Sequence, residues 1–151
     1  MRTTLKCKHS PREELPRLAE RLRRSSRKLT GPRQAILELL RRAAHPMSNR
    51  EIFSALTEGS CDLATIYRSM HLLEEMGMVK RFDFGDGVAR FELLGEGDDG
   101  HHHHLVCTRC AGVIELDDCS MHEMEEGIAS RNGFKAVTHN LEFFGLCPEC
   151  Q

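Results

Sequence analysis

Two cysteine pairs and a run of four histidines carry most of the metal-binding chemistry in this chain. Cys107 and Cys110 form one CxxC pair, and Cys147 and Cys150 form another. Two such pairs separated by a domain-sized loop can wrap one tetrahedral ion, and zinc is the usual occupant of a four-thiolate cage. A closed cage of this kind is structural. His101, His102, His103 and His104 stand directly before the first pair. On an extended segment, His101 and His103 point to one face, and His102 and His104 to the other. One strand could therefore supply two imidazoles to each of two metal sites. An expression tag and a solvated loop after Glu96–Asp99 are the plainer readings. The CxxC pair that follows immediately favours metal ligation. Cys7, Cys61 and Cys119 show no evident partners and read as ordinary thiols.

These ligands need elements to hold them. A chain of 151 residues suits one ordinary domain or two small ones. Aromatics are few and Trp is absent, so any core is mostly aliphatic. Residues 1–90 hold 18 Lys/Arg against 11 Asp/Glu, and residues 91–151 hold 3 against 12. A half of net charge +7 suits a phosphate backbone as partner, and a half of −9 suits cations, with a boundary near residue 90. No stretch reads as a transmembrane helix or a signal peptide, so no membrane partner is expected. Cysteines arranged as CxxC suit a reducing cytosol, and a cytoplasmic location is expected.

In the basic half, Leu15, Leu18 and Leu22 recur at helical spacing among arginines, which predicts an amphipathic helix over residues 12–25. Thr30 is placed to cap a second helix, with Pro32 in its first turn and Ile36, Leu37 and Leu40 as its buried stripe. His45 precedes Pro46, which ends the segment. Ser48-Asn49-Arg50-Glu51 matches a capping box for a short third helix. Asp62 caps a fourth, Leu63–Met76, which Gly77 stops. Its apolar face is Leu63, Ile66, Met70 and Leu73; Arg68 lies opposite, with Thr65 near and Tyr67 at the border. Val79–Phe84 and Val88–Leu93 read as a hairpin around Gly85-Asp86-Gly87. Helix-turn-helix plus hairpin makes a winged helix, a DNA-binding architecture.

In the acidic half, residues 94–100 read as a linker. Residues 101–106 and Val113–Leu116 read as strands, Ser120–Arg131 as a helix ended by Asn132-Gly133, and Phe134–Val137 and Asn140–Phe144 as two further strands. The fold class is therefore α+β. An N-terminal winged helix-turn-helix domain (1–93, with a tail of about 1–11) is followed by a small α/β domain (101–151) pinned by zinc.

The order Ala64-Thr65-Ile66-Tyr67-Arg68, Phe91-Glu92-Leu93, HHHHLVCTRC and LCPEC resembles the ferric uptake regulator (Fur) family of bacterial metal-dependent repressors. The resemblance covers about residues 12–150. It implies a homodimer, built through the C-terminal domain, that binds palindromic double-stranded operator DNA. It also implies that Cys107, Cys110, Cys147 and Cys150 hold structural Zn2+. His45, Glu92, His102, His104 and Glu115 match a regulatory site between the domains. His101, His103 and His139 match an additional site, with His122 where a glutamate is common. Lys28 matches a minor-groove lysine, and Thr65, Tyr67 and Arg68 lie on the recognition helix.

Three imidazoles and two carboxylates suit a borderline divalent ion: Fe2+, Mn2+, Co2+ or Zn2+. A peroxide-sensing branch of the family has aspartate at the position of Glu115; glutamate points to iron(II) sensing, with Mn2+ or Zn2+ as substitutes in vitro. Peroxide-, manganese- and zinc-responsive regulation are the nearest alternatives. A metal-buffering protein would have no use for the displayed helix, and a hydrolytic metalloenzyme would leave the basic half unexplained. The chain is not expected to be an enzyme.

Overall fold

The computed structural model describes residues 14–57, 59–96, 101–116 and 119–151. The expected tail, the first two residues of the first expected helix and residues 97–100 of the expected linker lie outside the described residues. The chain divides into two compact units, the first containing the described residues up to Glu96 and the second those from His101.

The first unit is a helical cluster backed by a small sheet. Four helices, α1 (Leu15–Arg24), α2 (Gly31–Arg42), α3 (Asn49–Ala55) and α4 (Leu63–Glu75), precede the hairpin strands β2 (Val79–Asp83) and β3 (Ala89–Leu93). Leu18, Leu22, Ile36, Leu37, Ile52, Ile66 and Leu73 are fully buried, and Met70, Met78 and Phe91 join them. This is the aliphatic core that the helical periodicity predicts, assembled by the hydrophobic effect. Arg21 fastens α1 to it, donating to the carbonyls of Leu94 and Gly77 at 3.1 Å each.

The caps set where each helix begins. Ser48 Oγ accepts from the Glu51 amide at 3.2 Å, and the Glu51 carboxylate accepts from the Ser48 amide at 2.7 Å, completing the capping box. Asp62 Oδ1 accepts from the Thr65 amide at 2.6 Å and starts α4. Gly77, at φ 62°, ends it. Thr30 does stand at the N-cap of α2, but its side chain makes no capping bond. Pro32 occupies the second helical position and lacks the N–H that such a cap would often bind.

The periodicity missed one element. Met47 and Ser48 form a two-residue strand, β1, which pairs antiparallel with β3 through Met47–Phe91 and Ser48–Arg90. The sheet order is β1-β3-β2, so the hairpin is held as a wing against the helices.

The second unit is a three-stranded sheet with one helix. Strand β4 (His103–Cys107) is central, antiparallel to β5 (Val113–Leu116) and parallel to β6 (Glu142–Gly145). Helix α5 (His122–Asn132) ends at Gly133, φ 70°. The strand expected at Phe134–Val137 does not form. The chain bends there, Ala136 takes a positive φ of 53°, and among the described residues no strand pairs with the segment. Burial in this unit is sparse: α5 buries none of its residues, while Ile114, Phe143, Phe144 and Leu146 are about half exposed.

Candidate metal centres and nucleic-acid surface

The register of the second sheet assembles the cysteines. Cys107 ends β4 opposite Gly145 of β6, and the Thr108 amide donates to the Gly145 carbonyl at 2.9 Å. Two residues after Gly145 the chain reaches Cys147, so the two CxxC turns meet at the same end of the sheet. Each turn is closed by its own backbone: Ala111 N–H donates to the Cys107 carbonyl and Cys150 N–H to that of Cys147, both at 2.9 Å.

The four sulfurs all lie within 4.8 Å of one another. Cys110 Sγ and Cys147 Sγ are 3.8 Å apart. A tetrahedral zinc with Zn–S of about 2.3 Å requires sulfurs roughly 3.7–3.8 Å apart, whereas a disulfide would need about 2.05 Å. The charge pattern fits as well. Amide groups of Cys110, Cys147 and Arg109 surround Cys107 and bring its thiol pKa down to about 6. The Cys147 amide reaches the Cys107 sulfur at 3.4 Å. Cys150 is pushed up to about 12, first by its hydrogen bond with the Cys147 sulfur and then by burial and the other two sulfurs. The backbone thus favours one thiolate, and the neighbouring sulfurs oppose another unless a cation joins them.

The segment 101–104, which runs into β4 at His103, splits the four histidines as alternation requires. His102 and His104 lie together, ring centroids 5.0 Å apart, and His101 and His103 form the other pair at 5.4 Å. On the first face, His104 is fully buried and registers opposite Glu115 of β5 and Glu142 of β6. His102 Nδ1 is 3.8 Å from Glu115 Oε1, and His104 Nδ1 is 3.3 Å from Glu142 Oε2. Glu142 is a residue that sequence reasoning missed. The only available signal was its place in a segment read as a strand, and nothing there specified a parallel register with His104.

On the opposite face, ligand atoms of His101, His103, Cys119 and His139 fall within 4.8 Å of one another. His122, expected as the fourth member, is not among them. It opens helix α5 with its side chain 79% exposed, pairing with Glu126 at 3.1 Å and Glu125 at 3.9 Å. Cys119, read from sequence as an ordinary thiol, stands in its place with Sγ 3.4 Å from His139 Nε2. Glu125 also comes in, its Oε1 2.8 Å from His139 Nδ1, and that hydrogen bond holds the carboxyl pKa below its usual value. Burial lowers the pKa of His103, keeping its imidazole in the neutral form that metals bind.

The remaining expected ligands belong to the first unit. His45 is exposed just beyond α2, its Nδ1 3.1 Å from the Pro46 carbonyl oxygen, and Glu92 lies half-buried on β3. The Met47–Phe91 pairing brings His45 and Glu92 to the same end of the β1–β3 ladder. On α4, Ala64, Tyr67, Arg68 and His71 are exposed at helical spacing, opposite the buried Ile66, Met70 and Leu73. Arg68 Nη2 donates to Thr65 Oγ1 at 3.1 Å, which steadies the guanidinium on the exposed face. Lys28 is exposed before α2.

Comparison with known proteins agrees with this arrangement. The family model "Ferric uptake regulator family" matches residues 24–144. The ferric uptake regulation protein of Bacillus subtilis (strain 168) is 37% identical over 139 residues, covering 90% of this chain and 93% of the relative. The peroxide operon regulator of the same organism is 33% identical over 141 residues, covering 91% and 93%. Among solved structures, the Vibrio cholerae ferric uptake regulator aligns with TM-score 0.74 at 32% identity, covering 86% of this chain and 99% of that one. The fold described above is thus shared with a solved ferric uptake regulator over most of both chains. The chain belongs to the ferric uptake regulator family.

Proposed function

We propose that this protein is a metal-responsive DNA-binding transcriptional repressor that senses iron(II) and acts as a homodimer on palindromic operators. The observation that carries the reading is the division of ligands along β4. His102 and His104 turn to a face bordered by Glu115, apart from both the cysteine cage and the opposite histidine pair. Such a nitrogen- and oxygen-donor set suits a borderline divalent ion and contains no thiolate.

The regulatory set implied by the family adds His45 and Glu92 of the first unit to His102, His104 and Glu115 of the second. A divalent ion supplies the positive charge that lets these three imidazoles and two carboxylates converge. Ligands drawn from both units make affinity depend on how the units are set. Binding therefore favours whichever arrangement lets all five residues reach. His45 sits at the end of the β1–β3 ladder and Arg68 on α4 of the same unit, so an arrangement that captures His45 also orients the recognition helix.

The exposed apolar residues of the second unit support self-association. A unit of this size with so little internal core is marginal alone, and Leu105, Ile114 and Phe143, which register side by side on one face of the sheet, offer an exposed apolar surface that a second copy would cover. Glu115, in place of aspartate, favours iron(II) sensing over the peroxide-responsive reading.

The test is selection of duplexes from a random DNA pool by the zinc-containing protein, with Mn2+ present and with chelator. A palindrome enriched only in the presence of Mn2+ supports the reading. Equal enrichment in both arms, or none in either, would refute it.

A further inference from the structure

We propose that Cys119 is the thiolate ligand of a third metal centre. With His101, His103 and His139 it forms a His3Cys site selective for a thiophilic ion of the zinc and cobalt kind. The inference rests on reading the second unit as a metal-binding domain, and it concerns a face of β4 other than the regulatory one.

Both central imidazoles have their tautomers set by partners behind them. His103 Nδ1 faces the Leu141 carbonyl oxygen at 3.1 Å, an acceptor only, so the Nδ1 carries the proton. His139 Nδ1 faces the Glu125 carboxylate at 2.8 Å and is protonated for the same reason. Each ring is left with a bare Nε2 lone pair, and the two Nε2 atoms stand 3.1 Å apart. Two acceptors at that distance repel unless something positive lies between them. The Cys119 sulfhydryl can donate one proton, to His139 Nε2 at 3.4 Å, and that proton does nothing for the lone pair that His103 Nε2 turns toward the same point.

A tetrahedral ion satisfies the whole group. With metal–nitrogen bonds of about 2.05 Å and metal–sulfur of about 2.3 Å, ligand atoms should stand roughly 3.3–3.6 Å apart. The observed 3.1 and 3.4 Å lie close to that spacing. The His101 ring closes the group, centroid 4.7 Å from His139 and 5.4 Å from His103. Glu125 and the Leu141 carbonyl then serve as the partners that hold ligating imidazoles in orientation. On binding, Cys119 releases its proton to solvent and its thiolate enters the site. A single soft donor among imidazoles shifts preference away from Mn2+ and toward Zn2+ or Co2+. The four ligands come from the start of β4 and the residues leading into it, the segment before α5 and the segment before β6, so the ion would fasten both ends of α5 to the sheet.

Cobalt(II) reports the thiolate directly through a sulfur-to-metal charge-transfer band in the near ultraviolet. Full-length protein holding one zinc per chain is titrated with Co2+, and zinc release is followed in parallel. The proposal expects the band to grow without zinc release in wild type, to vanish in Cys119→Ser, and to persist in His122→Ala. Unchanged zinc content and melting temperature in Cys119→Ser would show that the variant folds. Cobalt binding without the band in wild type overturns the thiolate assignment and leaves an imidazole site. A band that survives Cys119→Ser, or is lost in His122→Ala, overturns it too. If wild type takes up no cobalt beyond its zinc, both this proposal and the reading of the unit as a multi-metal domain fail.

Discussion

His104 Nδ1 lies 3.3 Å from Glu142 Oε2, across the parallel pairing of β4 with β6. The histidine is completely buried and Glu142 is nearly so, with side chains 0% and 14% exposed. A carboxylate behind Nδ1 holds the proton there and leaves Nε2 as the ligating atom. Glu142→Ala is expected to require about 10–100-fold more Mn2+ for half-maximal DNA binding, the usual effect of losing such a partner. Zinc content should not change. An unaltered Mn2+ titration would mean that Glu142 only packs.

The cysteine cage should be structural. Metal binding in a four-thiolate site is also folding energy, on the order of 10 kcal/mol. Cys147→Ser is therefore expected to lose zinc, lower the melting temperature and dissociate the dimer. Elemental analysis, calorimetry and sedimentation read the three effects. Retention of zinc and wild-type melting would contradict the assignment.

DNA affinity should centre on the exposed face of α4. Arg68, steadied by Thr65, can reach a guanine edge or a phosphate, and Tyr67 can pack on a thymine methyl. Arg68→Ala is expected to weaken operator binding by about 1–3 kcal/mol with metal content unchanged. An unaltered gel shift would place the contact on another surface.

Much of this architecture was legible in local pattern. The periodicity of α2 and α4, the Ser48–Glu51 capping box and the Asp62 cap are decided within a few residues. The alternation of the four histidines follows from strand geometry alone. What was not legible depends on pairings distant in sequence. Strand β1 exists because Met47 finds Phe91, and Glu142 meets His104 because β6 runs parallel to β4. Cys119, and not His122, lies among His101, His103 and His139 because α5 begins at His122 and carries that ring to solvent, while the cysteine just before the helix turns toward His139. No spacing rule distinguishes those two outcomes.

The wing should respond to acid. Arg90 is buried, and both its terminal nitrogens reach Asp86, at 3.1 and 2.7 Å. That hydrogen bonding holds the Asp86 pKa below its usual value. A carboxylate depressed in the folded state stabilises above its unfolded pKa, about 3.9, and loses that contribution as pH falls through the lower folded value. Asp86 remains open to solvent, so screening limits the effect to about 1 kcal/mol. Asp86→Asn is expected to melt earlier than wild type at neutral pH and to converge with it in acid. A gap that does not narrow as the pH falls would assign the effect to shape instead of charge.

The most direct measurement is fluorescence anisotropy of a selected palindromic duplex, titrated anaerobically with the zinc-containing protein, with and without Fe2+. His45→Ala is run beside wild type. The account expects Fe2+ to raise wild-type affinity about a hundredfold, equivalent to roughly 2.7 kcal/mol at a hundredfold metal excess over its dissociation constant. It expects His45→Ala to stay folded, dimeric and zinc-loaded while losing most of that gain. Equal wild-type affinity with and without Fe2+, or an undiminished iron response in His45→Ala, would contradict it.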